Sequence, residues 1–138
     1  MGEQIKGRIL IVDDQENWRM ALVSLLATEG YAVETAAHFE EAEIAIRQMI
    51  LDLVVLDVRL ADTDVFNVQG LELLKLIKTK KVPPKVIILT GYPESIREGV
   101  LKRYGADLLI LKVPPGSKFD SEDFLHQVKA LVLQAKNE

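Results

Sequence analysis

Five polar residues in this sequence follow directly on runs of apolar ones. Asp13 and Asp14 follow the run at 9–12, Asp57 the run at 53–56, Thr90 the run at 86–89, and Lys112 the run at 108–111. A carboxylate taken out of water without a partner costs several kcal/mol or takes up a proton, and adjacent carboxylates also repel. Acids at the ends of buried-looking segments therefore call for a cation. Three carboxylates offer the hard oxygen ligands that Mg²⁺ takes in near-octahedral geometry, with waters completing the shell. A carboxylate kept ionised in this way is a nucleophile towards phosphorus and gives an aspartyl phosphate. On this reading Asp57 receives a phosphoryl group, and the metal and Lys112 stabilise charge on the transferring oxygens. Thr90 donates a hydrogen bond to the group once it has arrived.

That chemistry requires the five residues to meet, and the hydrophobic patterning says how. Strands are expected at 8–13, 31–36, 52–58, 85–90 and 108–112. Helical spacing is seen between Gln15 and Glu29, stopped by Gly30, and again over 39–50, 70–79, 94–104 and 121–135. Asp14 is expected to cap the first helix, and Asp120 or Ser121 the last. Pro83-Pro84 and Gly91-Tyr92-Pro93 punctuate the chain. Strands alternating with helices imply an α/β fold with a parallel sheet and right-handed crossovers. The first, third, fourth and fifth strands are near-continuous apolar runs, the pattern of strands covered on both faces. Ligands of open parallel sheets bind at the carboxyl ends of the strands, which is where all five polar residues stand.

The bulk properties suit one domain. The chain has 138 residues, 49% hydrophobic and 28% charged, with no internal repeat or low-complexity segment. Its net charge of −4 speaks against nucleic acid as a direct partner. It has no cysteine, which excludes disulfides, zinc–thiolate sites and thiol catalysis within it. No apolar run has the roughly 18 residues of a membrane span, and the N-terminus lacks the apolar core of a signal peptide. A cytoplasmic location is the expectation.

ILIVDD at 9–14, LVVLDV at 53–58, VIILTG at 86–91 and YGADLLILK at 104–112 together resemble the receiver domains of two-component response regulators. The resemblance covers about 7–136, nearly the whole chain. It implies a flavodoxin-like, doubly wound five-stranded parallel sheet in the order 2-1-3-4-5 with five helices. Asp57 is then the phosphoacceptor, Thr90 the switch hydroxyl and Lys112 the partner of the phosphoryl group. Asp13 and Asp14 hold Mg²⁺ together with Asp57 and the backbone carbonyl of Arg59. The donor is a phosphohistidine on a sensor kinase or a histidine phosphotransfer protein. The domain catalyses its own phosphorylation and slow hydrolysis. Without room for a DNA-binding output domain, output is expected through a downstream protein, a homodimer or onward phosphorelay.

Four departures from the family pattern stand out. The proline a few residues after the acceptor and the glycine eight after it are Ala61 and Val65 here, and the next glycine is Gly70. This reads as an insertion of about five residues around 61–69. The switch aromatic three residues before the lysine is Leu109, which excludes an aromatic rotamer switch at that position. The family's usually cis Lys-Pro is Lys112-Val113-Pro114. A cis bond before a non-proline residue is costly, so a rebuilt loop is expected. Arg59 and Tyr92, each two residues beyond the acceptor and the threonine, are bulky enough to hinder hydrolytic water, which implies a long-lived phosphoryl state.

Plainer readings apply to other residues. Trp18 reads as core beside the acidic pair, and His38 and His126 as surface residues. Arg97, Lys102 and Arg103 read as a solvated helix face, and Asp62 and Asp64 as loop acids. Two rival functions belong to other classes. A phosphorylation-independent docking module fits the altered loops and Leu109 but has no need of the acids, Thr90 and Lys112. A Mg²⁺-dependent phosphohydrolase usually has a general acid two residues after its nucleophile, where Arg59 stands here, and a cap domain, for which no segment is seen.

Overall fold

The computed structural model describes residues 5–57, 68–91, 103, 105–112 and 118–137. Five strands, β1 (Arg8–Val12), β2 (Ala32–Ala36), β3 (Leu53–Leu56), β4 (Lys85–Thr90) and β5 (Leu108–Leu111), form one parallel sheet in the order β2-β1-β3-β4-β5. Four helices are described: α1 (Glu16–Thr28), α2 (Phe39–Gln48), α3 (Val68–Lys78) and α4 (Ser121–Lys136). The strand order is the expected one. The helix expected over 94–104 falls almost entirely outside the described residues.

The side-chain alternation of the strands builds two cores. Leu10, Val12, Val54, Leu56, Val86 and Ile88 point to one face and pack on Ala42 and Ile46 of α2 and Leu73, Leu74 and Ile77 of α3. Ile9, Ile11, Leu53, Val55, Ile87 and Leu89 point to the other and pack on Leu22 and Leu26 of α1 and on Phe124, Val128 and Val132 of α4. The central strands β1, β3 and β4 need apolar residues at successive positions because both faces are covered. The fifth strand is covered less completely, with Leu109 against one core and Leu108 and Ile110 against the other. β5 is an edge strand paired to β4 alone, and its four residues are half-buried. β2, the other edge, exposes Glu34 and Thr35.

The helix ends follow local chemistry. Gly30 has φ +98° and ends α1 where a side chain would be strained, with its N–H donating to the Ala27 carbonyl at 3.0 Å. Asp120 caps α4 by accepting from the Asp123 N–H at 3.0 Å. The expectation that Asp14 caps α1 is corrected. The cap position is Gln15, one residue later, and no side chain makes the cap bond. Instead Asp13 Oδ1 accepts from the Gln15 N–H at 2.9 Å, an Asx-type bond that turns the chain out of β1.

Phe124 joins α4 to its core, fully buried among the strand residues of that face. Phe124→Ala is expected to destabilise the fold by roughly 3–5 kcal/mol in urea unfolding, and Asp120→Ala by about 1 kcal/mol. A Phe124→Ala loss below about 1 kcal/mol would contradict this packing.

Candidate functional site

The backbone sets the site before any side chain does. The Asp13 N–H donates to the Ala36 carbonyl at 3.1 Å, the Asp57 N–H to the Val12 carbonyl at 2.9 Å, and the Lys112 N–H to the Thr90 carbonyl at 2.8 Å. Each of the three charged residues is thus one position past the end of its strand, held on the last carbonyl of the neighbouring strand. Other aspartates are used differently. Asp52 Oδ2 accepts from the Arg8 N–H and Asp107 Oδ2 from the Val86 N–H, both at 2.8 Å. Those two carboxylates satisfy the first N–H groups of β1 and of the residue after Lys85 in β4. The acids at the other end of the sheet are left to do something else.

Lys112 is the centre of the group. Its Nζ lies 2.8 Å from Asp13 Oδ2 and 3.1 Å from Asp57 Oδ2. It also donates to Gln15 Oε1 at 2.8 Å and lies 5.1 Å from the centre of the Trp18 ring. The side chains of Asp13, Asp57 and Lys112 are each no more than 5% exposed, so these ion pairs sit out of bulk water. Oxygens of Asp13, Asp14 and Asp57 lie within 4.8 Å of one another. Asp57 Oδ1 is buried and has no hydrogen-bond partner among the described residues. Thr90, fully buried at the end of β4, is joined to Lys112 through its carbonyl. A cleft of about 360 Å³ opens beside the acids, and its walls include Ala37, His38, Phe39 and Glu40 at the start of α2.

Charge decides what this arrangement can do. The carboxylates of Asp13, Asp14 and Asp57 gather at one place, and those of Asp13 and Asp57 share the Lys112 ammonium. The Asp57 carboxyl is raised to about 6: burial lifts it most, Lys112 by charge and hydrogen bond pulls against that, and Asp13 and Asp14 add to the rise. The donor set is all oxygen and clustered, and one buried oxygen has no donor among the described residues, which fits Mg²⁺.

The structure therefore brings together Asp13, Asp14, Asp57 and Lys112, with Thr90 adjoining Lys112 in the ladder. Arg59, whose carbonyl completes the expected metal set, lies outside the described residues, as do 61–67 of the expected insertion, Tyr92 and Val113. Leu109 packs against the core of the α2–α3 face. His38 and His126 are exposed, as expected. Trp18 is only half-buried; it meets Phe119 edge to face at 5.3 Å and also faces the Lys112 ammonium. Sequence reasoning missed Gln15 altogether. The one signal was position: Gln15 and Trp18 are three apart at the start of a helix, hence on one side of it.

Comparison with known proteins agrees with this geometry. The family described as the response regulator receiver domain matches residues 9–128. The phosphate regulon transcriptional regulatory protein PhoB of Rhizobium meliloti (strain 1021) is 30% identical over 135 residues, covering 95% of this chain and 54% of that protein. The chain spans about half or less of the length of the curated relatives it matches. A CheY-like receiver domain protein from Methanospirillum hungatei JF-1 superposes with TM-score 0.77 at 30% identity, over 97% of this chain and 98% of that one. The response regulator TrrA of Thermotoga maritima, solved in complex with Mg²⁺-BeF, gives TM-score 0.71 at 33% identity, over 91% and 98%.

The raised Asp57 value has a measurable consequence in metal-free protein. Between the ordinary value of 3.8 and about 6, the folded chain holds a proton on Asp57 that the unfolded chain has released. Stability from this group is present at low pH and lost as pH rises through about 6. Asp57→Asn cannot ionise. In urea unfolding with a chelator it is expected to gain roughly 1–3 kcal/mol on the wild type between about pH 4 and pH 7. Added Mg²⁺ is expected to shrink that gain. A difference that does not change with pH would count against the burial of an ionisable Asp57.

Proposed function

The chain belongs to the response regulator receiver domain family, the phosphorylation-dependent switches of two-component signalling, and from that premise we propose that Asp57 is its phosphoacceptor. The observation that carries the assignment is the Asp57 side chain itself. It is buried, bonded to Lys112 through one oxygen and without a donor among the described residues on the other. In the transfer, an Asp57 oxygen attacks phosphorus of a phosphohistidine. The P–N bond breaks, and its electron pair leaves with the imidazole. Lys112 holds positive charge beside the transferring oxygens, and Thr90 donates to one of them after transfer. Asp13 and Asp14, with Asp57 and the Arg59 carbonyl, would hold Mg²⁺. When bound, the metal supplies charge neutralisation and polarises the phosphoryl oxygens.

The phosphoryl group adds up to two negative charges to a pocket already crowded with them, and Thr90 and Lys112 respond. That response shifts the ends of β4 and β5 between two packings for a partner to read. The donor is a sensor histidine kinase or histidine phosphotransfer protein, and the reader is a downstream protein or a second copy of this chain, in the cytoplasm. The domain spans about 7–136. With a net charge of −4, direct duplex binding by these residues is disfavoured. Arg59 and Tyr92 shield the acyl phosphate from water and lengthen its life.

Incubation with Mg²⁺ and acetyl phosphate, followed by intact-mass analysis, is expected to add one phosphoryl group to the wild type and none to Asp57→Asn. Lys112→Ala is expected to slow the gain by roughly a hundredfold. No added mass together with no Mg²⁺ response of Trp18 fluorescence would replace this reading with a phosphorylation-independent docking module.

A further inference from the structure

Resting on the phosphoacceptor reading, we propose that Gln15 is a positioning residue that holds Lys112 in its resting place and must release it when a phosphoryl group arrives. An ammonium has three N–H donors. Two of them are donated, to Gln15 Oε1 at 2.8 Å and to Asp57 Oδ2 at 3.1 Å, and the Asp13 carboxylate pairs with the ammonium through Oδ2 at 2.8 Å. The face of Trp18, 5.1 Å away, closes the remaining side, and the lysine side chain is only 5% exposed. Lys112 can therefore pair with a phosphoryl oxygen only by giving up a partner.

The three partners differ in how firmly they hold. Asp13 and Asp57 are carboxylates, and hydrogen bonds between two ionised groups out of water are the stronger ones. Gln15 is the uncharged acceptor and the weakest of the three. Its backbone is fixed, with the N–H on Asp13 Oδ1 at 2.9 Å and the carbonyl accepting from the Arg19 N–H at 3.0 Å. Only its side chain has to move. The Gln15–Lys112 bond exists in the unphosphorylated state and is lost in the phosphorylated one. Gln15 thus favours the resting state and sets the threshold for switching.

Beryllofluoride, which mimics a phosphoryl group on a carboxylate, tests this on the full chain at saturating Mg²⁺. Binding is followed by calorimetry and by the emission of Trp18, the one tryptophan. Gln15→Met keeps the length and removes the acceptor, leaving a buried donor unfilled only in the resting state. It is expected to bind beryllofluoride at least about threefold more tightly than the wild type. Gln15→Glu puts a third carboxylate on the ammonium and is expected to bind at least about threefold more weakly. A loss of fold integrity cannot give opposite signs, and melting temperatures of both variants check it directly. Equal affinities, or shifts of one sign in both variants, would overturn the role of Gln15 and leave the acceptor assignment standing. A wild type that binds no beryllofluoride at saturating Mg²⁺ would remove the acceptor assignment and this proposal with it.

Discussion

The buried ammonium of Lys112 is what lets three carboxylates occupy one end of the sheet. Removing charges from water is expensive, and mutual attraction offsets that only when geometry and further hydrogen bonds are good. Here they are good for the lysine, which hydrogen-bonds Gln15 and Asp57 and pairs with Asp13. They are less complete for the acids: three carboxylates cluster there, and one buried oxygen of Asp57 has no hydrogen-bond partner among the described residues. The three clustered carboxylates fit a divalent cation, and the site's position suits the arrival of a group that is itself anionic.

The two cores explain how such a group of charges is tolerated. β1, β3 and β4 are covered by helices on both faces, so their backbones cannot shift to relieve repulsion at their ends. The acids at the amino ends of the strands show the alternative use of the same residue type. Asp52 and Asp107 spend an oxygen on a neighbouring strand's N–H and serve the fold. At the carboxyl ends a strand's last carbonyls receive the N–H groups of Asp13, Asp57 and Lys112, and the side chains of those residues are left for chemistry.

Much of this was legible in the sequence because it rests on local patterns. The runs ending at Val12, Leu56, Leu89 and Leu111 give four strands, and the first polar residue after each gives the site. Gly30 and Asp120 announce helix ends through conformations and hydrogen bonds that depend on their own residue type. What failed depends on distant partners. Asp14 has the right chemistry to cap α1, but the chain turns through Asp13, and the helix starts one residue later. That β5 lies at an edge and is only half-buried is something composition does not say. Gln15 carries no charge and follows the acids like any helix-opening residue. Its role comes from a lysine 97 positions away, and nothing local indicates that bond.

The way Asp13, Asp57 and Lys112 are hung on neighbouring strands has a consequence for where change can occur. Their amide protons are the final rungs of the same ladder that holds the core together, so they open to exchange with deuterium only when the strand ends themselves come apart. A shift at the ends of β4 and β5 therefore has to carry these rungs with it, whereas side chains can turn against them without breaking any. Substitutions that alter side-chain reach can tune the response without touching the stability of the sheet on which it is mounted.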